Sequence, residues 1–451
     1  MCRGPLSLSV AFFPCKAALF RHNVTDTRDV HPVIPENRFP MTHVDSVLPG
    51  EKNAQPPKKR FFRWPVFVAA LGVLVLIPVA VVFGYPRWHD YRTSQYRDGC
   101  KKAIREKNWD LLAIVSEGWQ AWDNSNDDAR VNGAEAARQL GDGKKAADLL
   151  GAVSDSYHGS LQALAFRGEI LFADLNLPYE AEQTWLRMLK INSLATLPRQ
   201  RLIYFYTMTL QRHKMVPLVR ESIEIGCEPP EAYAYLLLAN NLNFTDGFTV
   251  TSNWRKNYPD DECLEVAQAI YAGRNKHDGD EEVSEKSDVA PGNQDMAEAC
   301  LKKYASNMEI ISYHAEKRIY EGSSQEMITL LKQAPPDAAK DSRFWRFRAW
   351  LLKSQNRETE ALEALKKSLE LSPSNWAARY EMGNILRVQG VVEESARQSE
   401  ISIAGKKIEK QLFESPDARA ISRELAQEMA TYMDLIGEVS VARAFRKRTR
   451  L

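Results

Sequence analysis

Chemistry in this chain would have to come from a few scattered residues, and their spacing supplies little of it. The cysteines are Cys2, Cys15, Cys100, Cys227, Cys263 and Cys300. A zinc site needs ligand pairs a few residues apart and a redox motif needs two thiols on one turn, and no C-x-x-C occurs. They are expected to be small buried apolar side chains, with a disulfide among Cys100, Cys227, Cys263 and Cys300 left open. His314-Ala-Glu-Lys-Arg318 lacks the second histidine that completes a zinc-protease helix. Asp278, Asp280 and Glu282 invite a calcium loop, but its sharp turn needs glycine at the sixth position, where Val283 stands. Gly141-Asp-Gly-Lys-Lys145 has phosphate-loop residue types without the loop length or the terminal hydroxyl. Neither a G-x-S-x-G elbow nor a strand-borne G-x-G-x-x-G is present. No catalytic, cofactor-binding or metal-ligating residue is therefore assigned, and the chain is expected not to be an enzyme and to use no cofactor.

One segment mixes cations with aromatic rings, Arg343-Phe-Trp-Arg-Phe-Arg-Ala-Trp350, which suits stacking on single-stranded RNA. Helical spacing favours a plainer expectation, with Trp345, Ala349 and Leu352 on a core face and the arginines on its rim. The net charge of +1 over 451 residues also argues against nucleic acid as a partner.

The elements around these residues begin with a candidate membrane span. Residues 64–86 carry no formal charge, and their core, Val66 to Phe83, is almost wholly aliphatic. As a helix this stretch is roughly 35 Å long, enough to cross a ~30 Å hydrocarbon core. Trp64 before it, with Tyr85 and Trp88 after it, falls where aromatic rings favour the headgroup region. Lys58, Lys59, Arg60 and Arg63 on the near flank against Arg87 and Arg92 on the far one predict an N-terminus inside and an exported C-terminal part. Residues 1–60, rich in Pro, Asn and Asp, show no sustained period and are expected to be disordered. Met41 is a second possible start, which would bring the apolar run close to the N-terminus.

Beyond residue 90 the pattern is amphipathic helices of 10–15 residues joined by short polar turns, and it repeats. In residues 342–375 Trp345, Ala349, Leu352, Ala361, Leu365 and Pro373 mark one unit. The next 34 residues repeat it with Tyr380, Met382-Gly383, Leu386, Gln389-Gly390 and Ser395, and the preceding 34 with Ala315, Arg318, Glu321-Gly322, Met327, Leu331 and Ala334. Ala134, Ala137, Gly141-Asp142, Ala146, Leu150 and Val153 form a unit nearer the span, followed by Gly168, Phe172, Ala181, Trp185 and Met188. Tyr204, Thr207, Val216 and Ile223 continue the register. Ala430, Met433, Gly437, Ala442 and Phe445 suggest a last unit after an insertion from Lys406 to Pro416. This spacing resembles the tetratricopeptide repeat (TPR) family. The resemblance implies an all-α solenoid of stacked helical hairpins, in which small residues let the paired backbones approach.

The organisation expected is a disordered segment 1–60, a transmembrane helix 64–86, TPR-like repeats 90–275, an acidic flexible loop 276–298, and further repeats 299–451. TPR-like arrays are implied by resemblance to bind protein or peptide partners on their inner face, although no binding residue carries over. The function expected is a membrane-tethered scaffold of a bacterial envelope, in assembly or chaperoning. An adaptor subunit of an envelope enzyme complex, of the glycan-synthesis or cytochrome-maturation type, is the alternative.

Overall fold

The computed structural model describes residues 84–274, 293–415 and 421–449, and every regular element among them is helical. The elements are α1 Tyr85–Arg105, α2 Trp109–Trp122, α3 Asp127–Gln139, α4 Gly143–Gly151, α5 Ser160–Glu169 with a π-helical continuation Ile170–Asp174, α6 Pro178–Ile191, α7 Thr196–Met208 and α8 Arg212–Ile225. A short α9 Ala232–Leu237 leads through an irregular stretch to α10 Gly247–Arg255 and α11 Glu262–Arg274. Then follow α12 Asn293–Lys303, α13 Met308–Glu321, α14 Ser324–Gln333, a 3-10 turn Pro336–Lys340, α15 Ser342–Ser354, α16 Glu358–Leu371, α17 Trp376–Val388, α18 Val392–Glu414, α19 Arg423–Leu435 and α20 Val439–Thr449.

Local chemistry sets the period. Asn307, Asp341 and Asn375, 34 residues apart, are the N-caps of α13, α15 and α17, each accepting hydrogen bonds from first-turn amides. The turn inside each hairpin needs one residue at positive φ, and it recurs at the same interval: Gly322 (72°), Asn356 (60°) and Gly390 (74°). The first half of the chain repeats the device at Lys107 (53°), Gly141 (87°), Asn176 (55°) and Leu210 (57°), and the last hairpin at Gly437 (85°). Glycine and asparagine take this conformation readily, so six of the eight turns are visible in the sequence. Lys107 and Leu210 conceal the others best, because neither residue type announces a left-handed turn.

Small residues occupy the helix crossings. Ala315, Ala349, Ala361 and Ala134 are almost wholly buried, and Ser395, standing where Ala361 does, donates its hydroxyl to the Gly383 carbonyl at 2.8 Å. At Gly168 a Cβ would lie 2.4 Å from the Trp185 indole nitrogen, so only glycine fits there. The long side chain near the start of a first helix donates a hydrogen bond backward. Trp345 donates its indole N–H to the carbonyl six residues back, Ala339, at 2.8 Å. Arg379 does the same to Pro373 and Arg199 to Ser193, at 2.9 and 2.7 Å. A long donor at this position ties the helix start to the preceding turn, whichever residue supplies it.

From Tyr96 onward the described helices form one compact unit, and residues 84–95 belong to a second. In the first unit Tyr96 stacks on Trp119 with ring centres 6.0 Å apart, and Cys100, Ala103, Leu112, Trp119, Ala129 and Ala136 share one cluster. α1 and α2 thus add a repeat ahead of the one that begins at α3. In the second unit Tyr85, Trp88 and Tyr91 are 58%, 48% and 62% exposed.

Three expectations change. The acidic stretch predicted over 276–298 ends earlier, because Asn293–Lys303 is helical and buries Ala297 and Cys300; residues 276–292 lie outside the described residues. α11 and α12 pack as a pair, so that stretch lies inside a hairpin and not between two arrays. The insertion expected from Lys406 is instead the extension of α18, a 23-residue helix burying Ile408, Leu412 and Phe413. The disordered segment 1–60 and the span 64–86, apart from Gly84 to Pro86, lie outside the described residues; among the described residues no helix is long and apolar enough to cross a membrane. Cys100, Cys227, Cys263 and Cys300 are free thiols, Cys100 and Cys300 buried. Burial pushes Cys100 up to about 11 and Cys300 to about 12, which leaves both protonated and unreactive near neutrality.

Candidate interaction face

The first helices of three consecutive hairpins, α13, α15 and α17, present their inner positions at matching heights, and those positions are charged. Arg343 on α15 reaches Glu309 on α13, 34 residues earlier, through two hydrogen bonds of 2.9 and 2.8 Å. It also holds Asp341, while Arg212 on α8 contacts Glu309 from the other side. One turn along, Arg346 bridges Glu316 on α13 and Glu381 on α17. The arginines expected on a rim are therefore inside, Arg343 4% and Arg346 7% exposed, and Phe344 and Phe347 beside them are fully buried. The facing helices α13 and α17 and the α15 cap Asp341 supply carboxylates, so the guanidinium groups remain charged and bonded on removal from water. One signal existed in the sequence: Glu309 and Arg343 stand one repeat apart, the separation that brings opposite charges together on adjacent first helices.

Burial and partners move the titrations in opposite directions. Burial raises Glu309, but Arg212 and Arg343 more than offset it and hold the carboxyl below its ordinary value. Asp341 is depressed in the same way, chiefly by Arg343 against the burial. Glu381 is raised, because burial outweighs Arg346. Glu409 on α18 is raised as well: burial dominates, while the Trp376 indole N–H at 2.9 Å and the Asn241 carboxamide offset only part of it.

A pH prediction follows from Glu409. Its native carboxyl holds a proton more tightly than the unfolded chain, whose value is near 4.5. Its stabilising share is thus present at low pH and is lost as pH rises above that value through the native one. Glu409→Gln should remove this downward slope and melt higher than the wild type near neutrality. Thermal unfolding of both proteins between pH 4 and 8 measures it. Parallel pH profiles would reject the argument. Glu309 and Asp341 act in the opposite sense, stabilising above their unfolded values and losing that contribution on acidification.

The inner face has a covered part and an open part. Residues 238–246, between α9 and α10, lie over its start. Asn240 donates to the Ser372 hydroxyl at 3.1 Å and accepts from Ser342 at 3.3 Å, and Asn241 donates to Glu409 at 3.4 Å. One helical turn beyond the ion pairs the face is open. Tyr320 follows Glu316 by four residues and is 89% exposed; Trp350 follows Arg346 by four and is half-buried. Exposed Lys353, Tyr380, Arg387 and Val388 continue it, and neither Lys353 nor Arg387 makes an ion pair among the described residues. Elsewhere, α2, α3 and α4 enclose a cavity of about 220 Å³ floored by Ala113, Gly133, Ala137 and Leu149. Its rim is tied by Lys145 to Glu117. Among the described residues no cluster of three His, Cys, Asp or Glu side chains could hold a metal.

No protein-family model matches the chain, and no curated protein matches it. Similar solved structures include the Cut9–Hcn1 hetero-tetramer of the APC/C, 13% identical, covering 79% of this chain and 71% of that one at a TM-score of 0.29. The human IFIT1 dimer with m7Gppp-AAAA is 11% identical, covering 77% and 87% at 0.31. A tetratricopeptide repeat protein of Parabacteroides merdae is 11% identical, covering 58% and 98% at 0.26. Likeness at these TM-scores decides neither fold nor function. The repeat architecture rests on this chain's own 34-residue recurrence of caps, turns and small crossings.

Proposed function

We propose that the chain is a scaffold that binds partner proteins along the open strip of its inner face, tethered by residues 64–86 to a bacterial envelope membrane. The observation that carries the binding part is the strip itself, where helix register puts Trp350 and Lys353 on the Arg346 face of α15, Tyr320 on the Glu316 face of α13, and exposed Tyr380 and Arg387 on one face of α17, over a base fixed by buried ion pairs. Aromatic side chains offer large contact area at low entropic cost, and a rigid base avoids paying for order on binding. The tether rests on the apolar run Val66 to Phe83 and its basic near flank. Confinement to a bilayer would raise the local concentration of anything the scaffold holds.

A photo-crosslinking residue at Tyr380 in the full chain, irradiated in cells, tests the strip. Discrete protein adducts are expected, and Lys353→Glu with Arg387→Glu should abolish them without changing the melting temperature. Adducts unaffected by the double reversal, or none from a folded chain, would reject the binding face. The tether is tested by deleting residues 66–83, which should release the protein from alkali-washed membranes. Alkaline-phosphatase and fluorescent-protein fusions at Leu451 report which side the C-terminus occupies.

A further inference from the structure

Near the start of the first array, three helices leave a space that the next repeat fills. The cavity of about 220 Å³ between α2, α3 and α4 has Ala113, Glu117, Gly133 and Leu149 in its lining. Ala147, Gly151 and Arg167 stand 34 residues after the first three, and Thr184 stands 35 after Leu149. The extra residue enters at the π-helical stretch Ile170–Asp174, between Arg167 and Thr184. The four positions are therefore equivalent in two successive repeats.

In the later repeat Arg167 takes up the space between α4, α5 and α6. Its Nε donates to the Ala147 carbonyl at 3.1 Å and its Nη1 to the Thr184 hydroxyl. The guanidinium lies over Gly151, where a Cβ would be 2.8 Å from Nε and 3.2 Å from Cζ. In the earlier repeat Gly133 replaces the arginine, and the cavity opens where its side chain would lie. Close-packed interiors hold few voids larger than a water molecule, and this one exceeds the roughly 150 Å³ that admits a benzene ring. The wall chemistry changes with it. Glu117 stands where Gly151 does, so a carboxylate borders the place that the Arg167 guanidinium takes, and Asp142 adds a second at the rim. Lys145 pairs with Glu117, but the two side chains are 47% and 58% exposed, and such a surface pair is weak and easily exchanged. Leu140, 50% exposed, and Ile114 beside Ala113, 68% exposed, give the mouth an apolar margin.

We propose that this cavity is a second partner site, which takes an arginine side chain inserted from the mouth by a partner protein. It rests on the scaffold reading but uses helices separate from the strip on α13, α15 and α17. Ala113, Ala137 and Leu149 receive the apolar stem. Glu117 and Asp142 supply the negative charge, and a planar guanidinium fork matches a carboxylate in two bonds at once. A purely apolar side chain would fill the volume and leave both carboxylates unused.

The test is fluorescence anisotropy with the purified full chain and a labelled, amide-capped peptide, Leu-Arg-Leu. Saturable binding is expected. The same peptide with citrulline, which keeps the shape and removes the charge, should bind roughly 10-fold more weakly. Gly133→Arg supplies in cis the side chain that Arg167 supplies one repeat later. The nearest atom to its Cβ is the mobile end of Gln120 at 2.7 Å, with Leu149 next at 3.3 Å, so the variant should fold with an unchanged or higher melting temperature. It should also weaken the peptide roughly 10-fold, and Glu117→Gln should weaken it in the same direction. Equal binding of the arginine and citrulline peptides, no binding to the folded wild type, or undiminished binding to a folded Gly133→Arg chain would each overturn the proposal. Should Gly133→Arg not fold, Ala137→Leu fills the cavity with a neutral side chain, and binding that survives it overturns the proposal equally. Failure here leaves the crosslinking at Tyr380 untouched, because that strip lies on other helices.

Discussion

Replacing Arg343 by methionine lowers stability by roughly 3–5 kcal/mol, the range for breaking a buried ion pair from one side. Arg343 is 4% exposed and binds both Glu309 and Asp341. Its loss leaves Asp341 without a cation and Glu309 with Arg212 alone. The comparison that identifies the cause is the pair Glu309→Met, Arg343→Met. Removing both partners deletes the uncompensated charge, so the double variant should be more stable than the sum of the single losses implies. Urea unfolding of the three variants gives the coupling, and hydrogen exchange in α13 and α15 shows whether the loss is local, as expected of repeats that contact mainly their neighbours. Strictly additive losses would mean that the charges are spectators of an apolar interface. A loss below about 1 kcal/mol for Arg343→Met would place the pair in the surface class.

Trp185→Ala should cost a similar amount, about 3–5 kcal/mol, for a different reason. The indole is wholly buried, lies 5.2 Å from the Phe172 ring and fills the gap left by Gly168. That close fit makes a second outcome sharper than the first. Gly168→Ala alone drives a methyl group into the indole nitrogen and should cost about 1–3 kcal/mol through overpacking. In the Trp185→Ala background the clash is gone, so Gly168→Ala should be nearly neutral there. Thermal unfolding of the four proteins decides it. A penalty for Gly168→Ala that persists without Trp185 would assign the glycine to its backbone conformation and not to the crossing.

The two predictions mark the boundary between what was legible in the sequence and what was not. Gly168, Ala181 and Trp185 appear in the sequence as a small-small-large pattern at helical spacing, and the crossing they predict is present. Ala315, Ala349 and Ala361 were legible for the same reason, because a helix places residues three and four apart on one face wherever it occurs. The Asx caps and the Gly or Asn turns are likewise local: one residue accepts from amides two or three positions on, or adopts one backbone conformation. These features determined the all-helical class, the 34-residue period and the absence of a spacing suited to metal or redox chemistry.

Tertiary structure alone decided the burial of Arg343 and Arg346. Helical periodicity shows that a residue faces the inner side, but not whether another part of the chain covers that side. Here Arg212 approaches from α8, and Asn240 meets Ser342 across 102 residues. The helical start at Asn293 and the extension of α18 are also decided by packing, α12 against α11 and α18 against α17 and α19. A repeat states its own period because its contacts are short-range. Which face is closed and which remains open depends on how the chain returns upon itself, and that information lies in the sum of the long-range contacts and in no single window of sequence.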